Sequence, residues 1–588
     1  PCGRACPAGL DAQGYVVLIS QGRFKESLEL VRQKIPFPGI IGRVCTHPCE
    51  TVCNRGKIDE PIAICDLKRF VADYEMSVGA EEITPVPRSK EERVAVIGSG
   101  PAGLTAAHDL VKMGYGVTVF EALPFPGGML SVGIPEYRLP REIVQREIEA
   151  IQKLGVELKL SSPVGKDGLT LEALHRQGYK AILVAVGAHS SMRLDIPGEE
   201  LEGVYHGVSF LRDVNLGQEV WVGERVAIVG GGNVAIDAAR TSLRLGSKEV
   251  VIVYRRSRQE MPASEEEIEG AEHEGVKINY LAAPVRVLGQ QGRVAGLECI
   301  RMELGEPDAS GRRRPIPVEG SEFVLDTDML IPAIGQTSDL SFLPGDHKFQ
   351  ITGRGTFEVD PVCLATNILG IFACGDAVTG PATVVEAIAS GSKAAVAIDS
   401  YLRGEELELA EEGLPLKTVD IEDMDVSDIV SKNRQPMPHL PLKERTLGFK
   451  EVNLGFPQET AIEEADRCLN CGVCAWCRQC EKICPNRVIL IEPDGTQDGN
   501  MGVKRFDIDF RACLFCGLCI ETCPAHRLYF ERGYESATYR EADLVVDKEG
   551  LRPSPEKEPS SYVRPELEPS LPKQTLLLDR TKGRKGWL

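Results

Sequence analysis

Nowhere in the 588 residues do about 18 apolar residues run together, which excludes a helix that spans a bilayer. Positive charge is in short supply. The 67 Lys and Arg face 87 Asp and Glu, a formal net charge of −20, which argues against a basic surface for nucleic acid or anionic lipid. A basic redox partner and a merely acidic soluble enzyme both fit that charge. Pro1-Cys2-Gly3-Arg4 has neither the charged nor the apolar region of a secretory signal. It also lacks an initiator Met, so the natural chain is expected to begin further upstream. Aromatic residues make up 6%, and almost none lie beyond about 545, where Pro, Glu and Lys dominate. That stretch buries little by itself and is either disordered or an arm that orders against a partner. No Ser–His–Asp set or acid–base pair stands out.

Cysteine is plentiful, with 19 residues. All but Cys299, Cys363 and Cys374 fall into three short groups whose neighbours are poorly placed for disulfides with one another but suit iron–sulfur ligation. A reducing, cytoplasmic compartment is therefore expected. The three isolated cysteines read as small packing residues. His47, between Cys45 and Cys49, could ligate a metal but reads as a loop residue.

Residues 1–85 read as helical, with helix-compatible apolar spacing over 15–20 and 24–33 and a Pro/Gly loop at 35–39. Then a βαβ design appears twice. Arg93-Val-Ala-Val-Ile97 opens onto Gly98-Ser99-Gly100-Pro101-Ala102-Gly103, and the next strand, from Gly116, ends at Glu121. Gly98 permits the tight turn, Gly100 admits a pyrophosphate, Gly103 allows close packing, and Glu121 can accept a ribose hydroxyl. The following helix N-terminus favours phosphate. The second copy runs from Arg225-Val-Ala-Ile-Val229 into Gly230-Gly231-Gly232-Asn233-Val234-Ala235. Its next strand ends in Tyr254-Arg255-Arg256 rather than an acid, which favours the 2′-phosphate of NADP(H) over NAD(H). The arginines could equally be solvated charges beside an NAD site. A third piece, Ile371 to Asp376 followed by Thr383-Val384, places Asp376 for a ribitol hydroxyl and a helix dipole near a reduced isoalloxazine.

Near the C-terminus, Cys474-x2-Cys477-x2-Cys480-x3-Cys484-Pro485 and Cys513-x2-Cys516-x2-Cys519-x3-Cys523-Pro524 repeat the two-cluster bacterial ferredoxin run, in which each fourth cysteine serves the other cluster. The expected sets are Cys474, Cys477, Cys480 and Cys523 for one cluster, and Cys484, Cys513, Cys516 and Cys519 for the other. Cys468 and Cys471 extend the rhythm upstream out of register with the proline, so they are expected to be spare, whether shielded thiols or alternative ligands.

These features, with Gly133-Ile-Pro-Glu-Tyr-Arg-Leu-Pro140 and Ala185-Val-Gly187, resemble the glutamate synthase small-subunit family over roughly residues 1–405. That family includes the large subunit of the bifurcating NADH-dependent ferredoxin:NADP oxidoreductase and the N-terminal part of dihydropyrimidine dehydrogenase. The resemblance implies an α/β chain with a helical iron–sulfur domain (1–88) and a FAD domain split into 89–221 and 336–405. It implies an NAD(P)H domain inserted at 222–335. A linker (406–465), an α+β two-cluster ferredoxin-like domain (466–535) and an extended arm (536–588) complete the expected order. Gly128, Met129, Arg138, Gly187 and Gly335 are further implied cofactor-binding positions. Some relatives carry a redox-active Cys-x4-Cys soon after the first ribose acid. Phe125 to Tyr137 contain no cysteine, so a disulfide mechanism there is excluded.

Relatives hold two [4Fe–4S] clusters in the N-terminal domain, one with a Glu or Gln ligand from a Leu-x-x-Phe segment. Here that segment is Leu67-Lys68-Arg69-Phe70, and a lysine ammonium has no lone pair to offer. Cys65 lies one turn earlier. Cys6, Cys45, Cys49 and Cys65 are therefore expected to hold one cluster, with a non-ligating Cys65 as the alternative. Cys2 and Cys53 match half of the other cluster, and the upstream CxxC that supplies its remaining ligands in relatives is absent, expected either because it lies in residues preceding Pro1 or because only one cluster is held here.

The function implied is an NAD(P)H:acceptor oxidoreductase subunit, running in either direction through FAD and [4Fe–4S] clusters. A relay or scaffold subunit with a vestigial pyridine site is the alternative. The module order and tail also resemble the iron–sulfur flavoproteins associated with dissimilatory sulfite reductase. A ferredoxin, a sulfite reductase or another complex subunit are thus the expected redox partners.

Overall fold

The computed structural model describes residues 1–79, 82–165, 169–308, 311–405, 429–469, 471, 479–493, 503–522, 528, 530–531, 538–547, 550–551 and 559–560. The chain divides into two compact units, one of residues 82–407 with 438–454, the other of 1–81, 408–437 and 455–588. Among the described residues no helix is long and apolar enough to cross a membrane.

The unit containing 82–407 is built on two parallel sheets. Strands Arg93–Ile97, Gly116–Phe120, Glu157–Lys159, Tyr179–Val184 and Ile371–Ala373 form the first, with Arg93–Ile97 between Tyr179–Val184 and Gly116–Phe120 and Ile371–Ala373 at one edge. Val94, Ala95, Val96 and Ile97 are all buried, as expected of a β-branched run covered on both faces. The second sheet has Met329–Pro332, Arg225–Val229, Glu249–Tyr254 and Lys277–Tyr280 in that spatial order. Its strands all lie, in sequence, between the fourth and fifth strands of the first sheet.

Pro101 starts the helix Pro101–Lys112 at a position where its missing N–H costs nothing. Helix Val384–Arg403 crosses it closely because Gly391 has no side chain. A Cβ there would collide with the Ala102 carbonyl. A four-stranded antiparallel group, Ala282–Gln290, Arg293–Pro307, Arg313–Pro317 and Phe323–Leu325, was not anticipated from the sequence.

After the short helix Cys2–Ala5, the longer helices of the other unit's N-terminal part are Ala12–Ser20, Phe24–Arg32, Pro38–Val44 and Ile64–Val78. Asp11 caps the first of these by accepting the Gly14 N–H at 2.9 Å. The expected Pro/Gly loop at 35–39 is loop through Phe37, and its last two residues open the helix Pro38–Val44. Pro38 sits in the first turn, and Gly42 allows contact with the Ile64–Val78 helix, since a Cβ would meet the Arg69 backbone. The ferredoxin-like part pairs Ile489–Pro493 antiparallel with Val503–Asp509, over a small core that includes Cys480 and Ile491.

Two expected boundaries shift. The stretch 406–465 is no uniform linker. Gln458–Asp466 is a helix packed on Ala12–Ser20, while Val452 in the other unit donates its N–H to the Tyr137 carbonyl at 2.9 Å. The tail from 536 is partly ordered. Val545–Val546 adds a strand beside Val503–Asp509, and Pro559–Ser560 pairs with Phe530–Glu531. Residues 536–537, 548–549, 552–558 and 561–588 of the expected arm lie outside the described residues.

Candidate functional site

At the carboxyl edge of the first sheet lies a cleft of about 390 Å³, within the range of cofactor pockets. Gly98 sits at φ 102° with its N–H on the Phe120 carbonyl, and no Cβ fits between it and Ala185. Gly100 differs: a Cβ there would meet nothing within 4 Å, so its backbone faces open space. Gly103 lies beneath, too close to the Gly98 carbonyl for any side chain. Pro101, Ala102, Gly128, Met129, Gly187, Gly375, Thr383 and Val384 all line the cleft.

Glu121 also lines it and is 6% exposed. Its carboxylate accepts the Ser99 N–H at 3.0 Å, the Ser99 hydroxyl at 2.5 Å and the Leu123 N–H at 2.8 Å, which fixes its position beside the glycine turn. Asp376 caps the far end, its carboxyl pushed up to about 6 by burial against one weak backbone donor, Ala382 N–H. Thr383 heads helix Val384–Arg403 through a capping box with Glu386. His189 and Cys374, which the motif reading passed over, line the cleft as well. Burial lowers the His189 imidazole and pushes the Cys374 thiol up to about 12, so both are neutral near pH 7. Ring of glycines, acid and apolar wall together suit a dinucleotide with a flavin end.

The second glycine loop repeats the geometry. Gly230 has φ 149° and no room for a Cβ against the Ala333 carbonyl, while Gly232 faces open space and caps helix Asn233–Arg244. Ala235 is fully buried in that helix, and Gly335, also at φ 149°, follows the adjacent strand. Arg255 and Arg256 part company. Arg255 is exposed with no ion pair among the described residues. Arg256 is 5% exposed, binding Asp308 at 2.6 Å and the Arg313 carbonyl at 2.8 Å. Its guanidinium anchors the antiparallel strands instead of facing the loop.

Arg138, expected at a cofactor, is placed differently too. It is not among the cleft-lining residues and pairs with Asp237 at 2.7 Å and Glu267 at 2.8 Å. Tyr137 beside it donates to Asp237 at 3.2 Å and lies under the Arg244 guanidinium, 3.9 Å from ring centre. Glu274 closes the set by accepting four bonds from Arg240 and Arg244, at 2.6 to 3.0 Å. The Gly133–Pro140 motif thus joins the two nucleotide folds to each other.

In the other unit, Cys6, Cys45, Cys49 and Cys65 gather about Lys68, which is 4% exposed. Burial disfavours its charge, but those four sulfurs outweigh burial and hold the ammonium well above its ordinary range. A hydrogen bond from Cys65 is the main reason the Cys45 thiol is drawn down, against burial, to about 5. The same bond and burial drive Cys65 up. His47 adopts φ 40°, donates its N–H to the Cys45 sulfur at 3.4 Å, and pairs with Glu50 at 3.5 Å.

Cys480, Cys484, Cys513 and Cys519 share the small ferredoxin-like core. Cys519 is pushed up to about 11 by burial and by Cys513 and Cys516. Cys474, Cys477 and Cys523 lie outside the described residues. Cys468 and Cys471, set aside as spare, line one pocket together with Cys2 and Cys53. Only their CxxC spacing hinted at a use. The partners are more than 400 residues away in sequence. No three His, Cys, Asp or Glu side chains among the described residues close around a point as on a single ion.

Comparison with known proteins agrees with this geometry. Residues 92–391 match the pyridine nucleotide-disulphide oxidoreductase family, 1–80 match the 4Fe–4S domain II of dihydropyrimidine dehydrogenase, and 467–526 match the 4Fe–4S dicluster domain. NADP(+)-dependent formate dehydrogenase subunit beta of Moorella thermoacetica is 48% identical, over 80% of this chain and 70% of that one. NADPH-Fe(3+) oxidoreductase subunit beta of Geobacter sulfurreducens is 41% identical, over 80% and 75%. The small chain of Escherichia coli glutamate synthase [NADPH] is 34% identical, over 68% and 88%. This chain therefore belongs to the glutamate synthase small-chain-like group of pyridine nucleotide-disulphide oxidoreductases, FAD- and NAD(P)H-using enzymes, with 4Fe–4S domains at both ends.

Proposed function

We propose that this chain is the NADP(H)-facing subunit of a larger oxidoreductase and moves electrons between NADP(H), FAD and [4Fe–4S] clusters to or from a protein partner. The observation that carries the reading is the pair of glycine edges in one folded unit, joined by Tyr137, Arg138 and Asp237. The relatives named as beta subunits that use NADP(H) support the same assignment. A reducing cytoplasm fits it, because exposed thiols such as Cys516 survive there.

Bound FAD supplies the exchange between a hydride's electron pair and the single electrons that iron–sulfur clusters accept. The chain's own residues do the positioning. Gly98, Gly100, Pro101 and Ala102 cradle the FAD pyrophosphate at a helix N-terminus, and Glu121 holds the ribose. Gly128, Met129, Gly187, Gly375, Thr383 and Val384 wall the isoalloxazine and ribityl chain, with Asp376 as hydroxyl acceptor. Gly230, Gly232, Asn233, Ala235 and Gly335 serve the nicotinamide dinucleotide. Cys6, Cys45, Cys49 and Cys65 hold one cluster, with Lys68 offsetting its negative charge. Two more are assigned to the ferredoxin-like sets given above.

Arg255 and Arg256 should respond differently. Arg255→Ser is expected to raise the KM for NADPH roughly tenfold or more, by loss of a charge-assisted phosphate contact, while that for NADH changes little. Arg256→Ser is expected to lower thermal stability through loss of the buried Asp308 pair, with similar effects on both nucleotides. Steady-state reduction with each nucleotide checks this. Equal losses for Arg255→Ser would refute phosphate reading, and a flavin bleached by neither nucleotide would refute the catalytic assignment.

Asp376 makes FAD affinity pH-dependent. Its carboxyl titrates at about 6 without ligand, and a hydroxyl donor favours the ionised form, so binding lowers the pKa and releases a proton. The Kd for FAD is expected to fall as pH rises through about 6 and to level off above about 7. Fluorescence titration of the apoprotein measures it. Asp376→Asn should flatten the profile, and an unchanged slope would dismiss Asp376 as the acceptor.

A further inference from the structure

Cys2 begins the short helix Cys2–Ala5, Cys53 precedes the turn Asn54–Lys57, and Cys468 and Cys471 follow the helix Gln458–Asp466. Three separated stretches of sequence thus deliver four cysteines to one pocket, whose wall is completed by apolar residues such as Val16, Ile62 and Ile64 and by Gln13, Asn54 and Arg55. None of the four is in a disulfide. Four sulfurs lining one pocket match the donor number that a [4Fe–4S] core takes from cysteine.

The arrangement is also braced. Arg467, immediately before Cys468, is 2% exposed and binds Glu464 at 2.6 Å, Asp59 at 3.0 Å and the Glu60 carbonyl at 2.6 Å. Arg55 grips Asp59 at 2.8 Å and reaches the Arg467 carbonyl at 3.2 Å. Glu464 accepts the Ala63 N–H at 2.8 Å and the Gln435 N–H at 2.9 Å. Every one of these groups is paired, so the network holds Arg467, and with it the adjoining Cys468, against the N-terminal helices before any metal arrives. Buried ion pairs of this kind serve specificity of placement better than bulk stability.

We propose that Cys2, Cys53, Cys468 and Cys471 together ligate a [4Fe–4S] cluster that joins the N-terminal helices to the segment leading into the ferredoxin-like domain. Each thiol gives up its proton on binding an iron, four protons per cluster. The core arrives preassembled from a cluster-carrying donor whose own thiolates take up those four protons as it leaves, so ligands are exchanged with no net oxidation or reduction. The set rests on the iron–sulfur reading above but differs from the expected one in that Cys468 and Cys471 are ligands. Cys474, Cys477 and Cys480 then keep their ferredoxin register undisturbed.

The test is iron and acid-labile sulfide per chain in the full-length protein isolated anaerobically, with FAD per chain as the reference. The double variant Cys468→Ser/Cys471→Ser is expected to lose about four iron and four sulfide relative to the unaltered chain, one cluster's worth. Cys2→Ser/Cys53→Ser should lose the same amount, and the quadruple variant no more than either double. An unchanged count in the Cys468/Cys471 variant, or losses that add in the quadruple, would overturn the shared site. Should the variants not accumulate, thiol alkylation of the unaltered protein decides. Cys468 and Cys471 are expected to resist until chelator strips the iron, and free reaction in the iron-loaded protein would overturn the proposal. Absence of all iron and sulfide from the unaltered chain would instead refute the broader cluster assignment.

Discussion

Gly98→Ala is expected to yield protein without flavin, and Gly230→Ala to yield protein that keeps its flavin but is reduced by NADPH about 100-fold more slowly or worse. Both glycines sit at positive φ, 102° and 149°, and both back onto a carbonyl, of Ala185 and of Ala333. A methyl group at either must push the loop away from its sheet, and the loop is the surface on which a pyrophosphate would lie. The substitutions are chemically identical and the two sites differ, so the contrast reports which cofactor each holds. Flavin absorbance per chain and stopped-flow bleaching measure it. Loss of flavin in the Gly230 variant, or its retention in the Gly98 variant, would reverse the assignment of the two folds.

Glu274→Ala is expected to destabilise the nucleotide-binding unit by about 3–5 kcal/mol, because it leaves the buried Arg244 guanidinium without a carboxylate partner and Arg240 with only Glu267, at 3.5 Å. The Glu274 and Arg244 side chains are fully buried and that of Arg240 is 7% exposed. Burial would raise the Glu274 carboxyl, yet Arg244 and Arg240 outweigh it and hold it below the usual range. The sign follows: the contribution is complete above the ordinary glutamate pKa and is lost as pH falls through the lowered one. Lys248→Ala is the control. Its pair with Glu224 is 2.7 Å long but largely exposed, and its removal should be barely measurable. Thermal unfolding near neutral pH compares the two. A small effect at Glu274 would mean that water reaches the arginines.

What could be read from the sequence was local. The strands beginning at Arg93, Gly116 and Arg225 stood out because buried parallel strands are short runs rich in β-branched residues, two of them ending at glycine and the third at Glu121. The roles of Gly98 and Gly103 followed from spacing alone. What escaped depended on partners far along the chain. Arg255 and Arg256 are indistinguishable as neighbours, and only the strand pairing that brings Asp308 to Arg256 separates them. Arg138 sits in a motif that resembles cofactor-binding segments, yet Asp237 and Glu267 claim its guanidinium. Cys468 and Cys471 looked redundant beside a complete ferredoxin run, because their register was judged against Cys474 and Pro485. The residues that give them a use, Cys2 and Cys53, lie at the other end of the sequence.

The central claim is that one chain couples a nicotinamide to iron–sulfur clusters by way of FAD. Anaerobic addition of one equivalent of NADPH to the cofactor-loaded protein, followed by low-temperature electron paramagnetic resonance, tests it most directly. The account predicts that flavin absorbance falls and reduced [4Fe–4S] signals rise with no other protein present, and that the Gly230→Ala variant gives neither. Bleached flavin with clusters that stay oxidised, although dithionite reduces them, would contradict it.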